Sequence, residues 1–464
     1  MKYINRTIFI SYLNCPTLGW MTKRNMLPKL RGLSNELFKL EEEHIHKIFW
    51  HLFLDAVDIK KTRADNLVKG NILNMDIKTF CGSSFISDGY LAKADILQKL
   101  EDNTWHLFDI RSGSKYKVKY IQDVSFVVMV LAKLGIRISK ISILYLSNDY
   151  RFGMEISKLF KELNCTEKVK LKAQEFLDIS CKVFKDLISQ TMPIPYLKKS
   201  CKNCPVFECC MGKDKKNHIF SLPKLSIPSM EKLLALGIDT IDKIPENFEL
   251  NDMQKIVRNC VLTNTIHVSK NLKTELEDLT LPFYYLDFES VATLMPLYED
   301  TCPYTQILTQ FSLDKVKSIG SIVDHYEYIA DQTRNCDREI AEKLIEYLEG
   351  NGSIVTYANF ERIAILKLAN SFPDLCEKLN KISLRIVDFE LIIRKNYYDV
   401  KFMGRFSIKK ILPILIPEMN YKNLKISDGK DASAAFAFIA MGLYSDKKIE
   451  NVKKICWNTV HKIL

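Results

Sequence analysis

Asp95 and Asp109 stand in the stretches Ala94-Asp95-Ile96-Leu97 and Phe108-Asp109-Ile110-Arg111, separated by the turn signal Glu101-Asp102-Asn103. On neighbouring strands of a hairpin the two carboxylates converge, and Arg111, two positions after Asp109, shares its face. Grouped carboxylates hold a divalent cation such as Mg2+ or Mn2+, which neutralises phosphate charge and activates water, while a nearby side-chain cation supports the nucleophile or the transition state. A second grouping lies in Tyr284-Tyr285-Leu286-Asp287-Phe288-Glu289, where strand periodicity aims Asp287 and Glu289 to one side and Phe288 to the other. Glu361, in Asn359-Phe360-Glu361, opens an expected helix after the strand-like run that starts at Gly352. The third set is sulfur: Cys15 near the start of the chain and Cys201, Cys204 and Cys210 far along it. Four soft thiolates suit an iron-sulfur cluster or zinc and would tie the end of a domain back to its beginning. Cys209, beside Cys210, competes for the last ligand position, and ordinary buried cysteines are the plain alternative because the chain has 13 Cys.

These residues need elements to position them. Residues 34–53 read as a helix with Ser34 as N-cap, carrying His44, His46 and His51. Strands are expected at 87–98 and 104–111, a core helix at 121–134 and a buried strand at 141–146. Lys115, Lys117 and Lys119 alternate with Tyr116, Val118 and Tyr120. On a strand that period would line three ammonium groups along one face, as a phosphate backbone requires. A helical connector is expected over 216–280, between a first domain at 1–215 and a second at 281–464. Within the connector, 230–245 resembles half of a helix-hairpin-helix, with a plain linker as the simpler reading.

A length of 464 residues exceeds what one core organises, and 47% hydrophobic residues with 16 Gly and 14 Pro describe a folded chain and argue against a disordered one. The net charge of +11 favours an anionic partner, nucleic acid first. No stretch is long and apolar enough for a membrane span, and the amino terminus lacks the apolar core of a secretory signal. With an odd cysteine count this points to the reducing cytoplasm, where clustered Cys more often binds metal than forms disulfides.

The spacing Cys201-x2-Cys204-x5-Cys210 with distant Cys15 resembles the cluster of RecB-like nucleases and CRISPR-associated exonucleases. That resemblance implies a [4Fe-4S] cluster, with zinc as the rival metal. Asp95 followed by Asp109-Ile110-Arg111 resembles the PD-(D/E)XK nuclease skeleton, and His46 matches the additional metal-binding His of the RecB-like branch. Three departures stand out: Arg111 replaces the usual Lys, Val127 and Leu131 replace a Gln-x-x-x-Tyr pair, and Glu42 replaces a Gly. Guanidinium is planar and does not titrate, so Arg111 is not an equivalent of lysine. Asp287-x-Glu289 resembles the opening motif of DnaQ-type 3′-5′ exonucleases, with Glu361 in place of the Asp of the second motif. The nearest match to the third motif is Cys456-Trp457-Asn458-Thr459, where neutral Asn458 replaces an acid; Asp388, Asp428 and Asp431 are further acids in the region.

Taken with Ser11-x-x-x-Cys15-Pro16-x-x-x-Trp20, Arg385-Ile386-Val387-Asp388, Gly404 to Pro413 and Ile426 to Ala432, these motifs resemble an uncharacterised bacterial family that joins a RecB-like domain to a DnaQ-like one. The resemblance implies an α/β chain, a RecB-like restriction-endonuclease-type domain followed by an RNase H-like domain. It implies a metal-dependent nuclease, or a nuclease-derived protein, acting on DNA or RNA with one or both sites weakened. The rival is a non-catalytic nucleic-acid-binding scaffold that retains both folds.

Overall fold

A computed structural model of the chain describes residues 2–28, 32–53, 56–58, 77–212, 216–320, 323–419, 429–444 and 449. The protein is mixed α/β, as expected. Its first half runs β1 (Ile4–Asn5), α1 (Arg6–Asn14), α2 (Pro16–Lys23), α3 (Leu33–Trp50), β2 (Ala56–Asp58), β3 (Thr79–Ser87), β4 (Tyr90–Lys99), β5 (Trp105–Arg111), α4 (Lys119–Lys133), β6 (Ile138–Leu146), β7 (Phe160–Asn164) and α5 (Thr166–Ile188). The sheet has the order β2-β3-β4-β5-β6-β7, with β1 added parallel to β4. Strands β3, β4 and β5 form an antiparallel meander, and β6 returns parallel to β5 after α4. Central β5 is buried for almost its whole length, and α4 is apolar on most sides because it is enclosed by the sheet, α1 and α5. Phe9 of α1 lies 5.2 Å from Phe126 and 5.0 Å from Phe176, ring to ring, at the centre of this core.

Helix α3 starts at Leu33, and Ser34 is not its N-cap. Gly32 takes that place at φ +115, and the Ser34 N–H donates to Asp431 Oδ1 at 3.0 Å. The cap therefore comes from a side chain remote in sequence, which no local pattern encodes. Helices α1 and α2 form a tight hairpin fastened to the segment after α5. Trp20 Nε1 donates to Ser189 O at 2.9 Å, Arg24 Nη2 donates to the same carbonyl at 2.6 Å, and Thr17 Oγ1 reaches Pro193 O at 3.1 Å. The Arg24 guanidinium lies 3.7 Å over the Trp20 ring.

The connecting region contains α6 (Ile227–Ala235), α7 (Asp252–Thr263), β8 (His267–Val268) and α8 (Leu272–Glu277). Over 230–245 the chain completes α6 and then makes the 3-10 turn Ile241–Lys243, with α7 following. The region is not a plain linker. Leu233, Ile241, Ile244 and Val257 share a core with Tyr398, Phe402 and Phe406 from beyond the second sheet, and β8 pairs with Tyr397–Tyr398.

The second half continues with β9 (Phe283–Val291), β10 (Ile307–Val316), β11 (Asp324–Ile329), α9 (Asp337–Tyr347), β12 (Ile354–Thr356), α10 (Phe360–Ser371), α11 (Cys376–Leu384), β13 (Ile386–Asp388), α12 (Phe389–Asn396), β14 (Tyr397–Tyr398), α13 (Ile408–Leu415) and α14 (Gly429–Ala440). The five-stranded sheet has the order β11-β10-β9-β12-β13. Its first three strands are antiparallel, and β12 and β13 run parallel to β9. Tyr284, Leu286 and Phe288 bury on the core face of β9 against α9, α10 and α11. Alternation sends Asp287 and Glu289 to the opposite face, as the sequence period requires.

The halves meet along α3. Leu37 packs with Val291, Ala434 and Phe438, and Leu294 joins Ile45 and Phe49. Glu41, 4% exposed, accepts the Leu294 N–H at 2.8 Å. Tyr304 donates its hydroxyl to Ser112 O at 2.8 Å. Among the described residues, no helix is long and apolar enough to cross a membrane.

The α1–α2 hairpin gives a direct test of packing against propensity. Gly19→Ala is expected to lower the urea midpoint, although helix propensity alone favours Ala by about 1 kcal/mol. A Cβ at position 19 would stand 2.5 Å from both Cα and Cβ of Tyr12, so the two helices must part to admit it. A midpoint that rises or stays put in the denaturation curve would contradict that close approach.

Candidate functional site

The first carboxylate grouping forms where β4 and β5 meet α3. Asp95 Oδ2 accepts the Ile110 N–H at 2.8 Å, and Asp95 Oδ1 lies 3.5 Å from His46 Nε2. Burial opposes charge on Asp95, but the His46 hydrogen bond, the Ile110 amide and the Arg111 charge together hold its pKa below the ordinary value. Burial likewise opposes charge on His46, and Asp95 outweighs it, leaving His46 above the usual imidazole value. Asp109, 4% exposed, is pushed up to about 6 by burial despite the pull of Arg111.

Arg111 is closed into this group. Its Nε donates to Asp109 Oδ2, its Nη1 meets Asp123 Oδ2 at 2.9 Å, and the guanidinium lies 4.9 Å from the Tyr120 ring centre. Asp123, one turn into α4, is a partner the sequence reading missed; its signal was its place on the helix face that turns toward β5. Tyr304, from the other half of the chain, is a second. Burial and the charges of Glu41 and Glu42 raise its hydroxyl to about 12. Nothing in the local sequence announces it. Val127 and Leu131 sit in the core, 2% and 0% exposed, so the positions that lack polar groups are used for packing.

The second grouping lies on β9 and at the start of α10. Asp287 is cross-strand from Ser312, and Glu289 from Gln310. Glu361, 3% exposed, enters from the first turn of α10. The turn before it holds Ala358 at φ +75, a left-handed backbone that a residue with a Cβ adopts only under external constraint. Asp388, at the end of β13, supplies that constraint by accepting the Ala358 N–H at 3.1 Å. Burial pushes Glu361 up to about 8, and the charges of Asp287 and Asp388 add to it, while the Phe288 amide pulls back. Burial raises Asp287 to about 6. Glu361 Oε2 has no hydrogen-bond partner among the described residues. Gly429, at the start of α14, approaches so closely that a Cβ there would be 3.0 Å from Glu289 Oε2. Glu361 feels the charges of Asp287 and Asp388, and Glu289 shares the strand face of Asp287. Asp431 is used instead at the start of α3, and Asp428 and Asn458 lie outside the described residues.

All-oxygen donors with an unserved buried carboxylate oxygen suit Mg2+ or Mn2+ at the second grouping. At the first, Arg111 already occupies Asp109. Among the described residues no three His, Cys, Asp or Glu side chains stand close enough to form a ready coordination shell. The described cysteines are all free thiols. Burial raises Cys210 to about 11, and Cys15, Cys201, Cys204 and Cys209 each add to the rise, although among the described residues no three of these thiols form a metal-holding group. Cys209 is exposed, whereas Cys210 is partly buried.

The lysine row is a correction. Lys115 and Lys117 lie in an irregular loop and Lys119 opens α4, so no strand lines them up. All three are exposed, as is Val118 at 77%. The alternation is broken because β5 ends at Arg111 and Gly113 and Ser114 follow.

A family described as Domain of unknown function (DUF2779) matches residues 284–407, which hold β9 to β14 and with them Asp287, Glu289, Glu361 and Asp388. No curated protein matches the chain.

The buried carboxylates make stability depend on pH in metal-free buffer. The folded pKa of Glu361, about 8, stands above that of an exposed glutamate, so folding takes up a proton. Its contribution is favourable below roughly pH 4 and is lost as pH rises through the folded value. Glu361→Gln is therefore expected to melt higher than the native chain near the upper end of this range and to flatten the profile of melting temperature against pH. Identical profiles would show that Glu361 is not held against its charge.

Proposed function

We infer that the chain is a divalent-metal-dependent nuclease, or a protein derived from one, that acts on nucleic acid, with any hydrolysis centred on Asp287, Glu289 and Glu361. The observation that carries this reading is the burial of Asp287 and Glu361 beside Asp388 with a carboxylate oxygen left unserved. Burying like charges without compensation is costly, and a divalent cation is the compensation such a group suits. The strand order β11-β10-β9-β12-β13 with acids on the central strand supports the RNase H-like resemblance. The meander β3-β4-β5 followed by α4 and parallel β6, preceded by α3 with His46, supports the RecB-like one.

Bound at the second grouping, Mg2+ or Mn2+ supplies Lewis-acid stabilisation of a phosphate and lowers the pKa of a water. The chain's own part is to hold the donors. Sheet pairing fixes Asp287 and Glu289, and the Ala358 turn fixes Glu361. At the first grouping the Arg111–Asp109 and Arg111–Asp123 pairs leave little room for the same chemistry, which favours binding without cutting there. The net charge of +11 agrees with a nucleic-acid partner.

Comparison of the native chain with Asp109→Ala, Asp287→Ala and the double variant, on labelled single and double strands with Mg2+ or Mn2+, tests the assignment. Cleavage should persist in Asp109→Ala and fall by orders of magnitude in Asp287→Ala. Cleavage that survives in the double variant would refute both placements, and a native chain that binds without cutting would establish the scaffold reading.

The spacing of Cys201, Cys204 and Cys210 with distant Cys15, and the electrostatic influence of the other thiols on Cys210, support a structural [4Fe-4S] cluster on these four residues, with zinc as the alternative occupant. After anaerobic purification, Cys15→Ser should lose bound iron and melt at a lower temperature than the native chain. Undiminished iron with unchanged melting would remove Cys15 from the ligand set, and zinc in place of iron would decide for the rival metal.

A further inference from the structure

Helix α3 has two working faces. Leu37, Glu41, Ile45 and Phe49 are buried against the rest of the protein. The opposite face, Lys39, Glu43, His46, Lys47 and Trp50, repeats at the spacing that stacks side chains on one side of a helix. This second face forms one wall of a cavity of about 410 Å³, and Lys93 and Asp95 of β4 form the other. Residues two apart on a strand share a face, so Lys93 stands one strand repeat from Asp95. The floor is backbone. Gly82, at φ +65, lies on β3 between the pairs Cys81–Ile96 and Ser83–Ala94, in register with Asp95, and it adds no side chain opposite that carboxylate.

The volume suits a nucleotide-sized guest. The walls offer an indole, ammonium groups from Lys39, Lys47 and Lys93, the carboxylates of Glu42 and Glu43, and the His46–Asp95 pair. The His46 and Trp50 rings meet edge-on at 6.3 Å, which leaves the imidazole at the border of the aromatic surface. An aromatic face beside ammonium groups is how proteins hold unpaired bases and their phosphates; a base inside a duplex has no free face to offer.

We propose that this cavity receives one unpaired nucleotide of a single strand, its base stacked on Trp50 and its phosphates held by Lys93 and Lys47, beside the His46–Asp95 pair. The assignment rests on the nucleic-acid reading above and makes the first grouping the element that selects single-stranded substrate. Arg111, locked to Asp109 and Asp123, then shapes the edge of a binding site.

The full-length protein is titrated with a short fluorescein-labelled oligothymidylate, and with the same strand in a blunt duplex, in Ca2+ buffer at several salt concentrations, with anisotropy as the readout. The native chain should prefer the single strand. Trp50→Leu, which keeps an apolar side chain, should weaken that binding by about tenfold, whereas Trp50→Phe retains most of it. Lys93→Gln, at an exposed position where folding is not at issue, should reduce the salt slope by about one counterion. Native affinity and salt slope in both Trp50→Leu and Lys93→Gln would overturn the proposal, as would a duplex that binds as tightly as the single strand. A native chain that binds neither strand would also bring down the nucleic-acid reading, whereas tight binding indifferent to both substitutions would remove only this cavity.

Discussion

Glu41 is the contact on which the arrangement of the protein turns. Its carboxylate sits almost fully buried in the middle of α3 and is pushed up to about 7 by burial, with the Leu294 and Met295 amides pulling the other way. Those amides belong to the chain just after β9, the strand that carries Asp287 and Glu289. A buried carboxylate served by backbone donors is directional where apolar packing is not. It therefore sets the rotation of α3 against β9. With that rotation set, His46 faces Asp95 and the cavity, while Leu37 and Ile45 face inward. The same helix thus belongs to the first grouping of acids by one face and to the second half of the chain by the other.

The two groupings solve the problem of crowded negative charge differently. In the first, counter-charges come from the chain itself: Arg111 is shared between Asp109 and Asp123, and His46 answers Asp95. In the second, backbone amides only partly offset the burial of Glu361 and Asp287, which remain with raised proton affinity. The charge-paired cluster has less to gain from an added ion, although burial still raises Asp109 to about 6. An under-compensated cluster stores an unfavourable term that a cation relieves. The contrast explains why residues of similar type, on strands of similar burial, point to different uses.

Much of the scaffold was legible because it follows periodicity. The strands around Asp95, Asp109 and Asp287, the helix at 121–134 and the helix opened by Phe360 and Glu361 all lie where alternation or a long apolar run put them. The failures share a cause. Lys115, Lys117 and Lys119 kept a strand period across Ser112, Gly113 and Ser114, where β5 had already ended. Ser34 has the right type for a cap, but Asp431 fills the role from the other end of the chain. The connector was read from its turns, whereas Leu233 and Val257 are held by Tyr398 and Phe402. Asp123 and Tyr304 joined the first site through tertiary contacts. Local pattern finds elements; it does not find what a distant segment brings to them.

The Asp431 contact also has a consequence for the order in which the molecule can be made. Ser34 and Asp431 are 397 positions apart, so during synthesis the amino terminus of α3 stays open until Asp431 has left the ribosome. The strand pairing of the first sheet and the fastening of its α1–α2 hairpin draw on nothing beyond the segment after α5, although Leu294 and Met295 later complete the core on its other face. Helix α3, with Glu41 waiting for the Leu294 amide, is completed only when the second half arrives. The contacts that fasten α3 to the second half therefore cannot form before that half is made, however early the first strands pair.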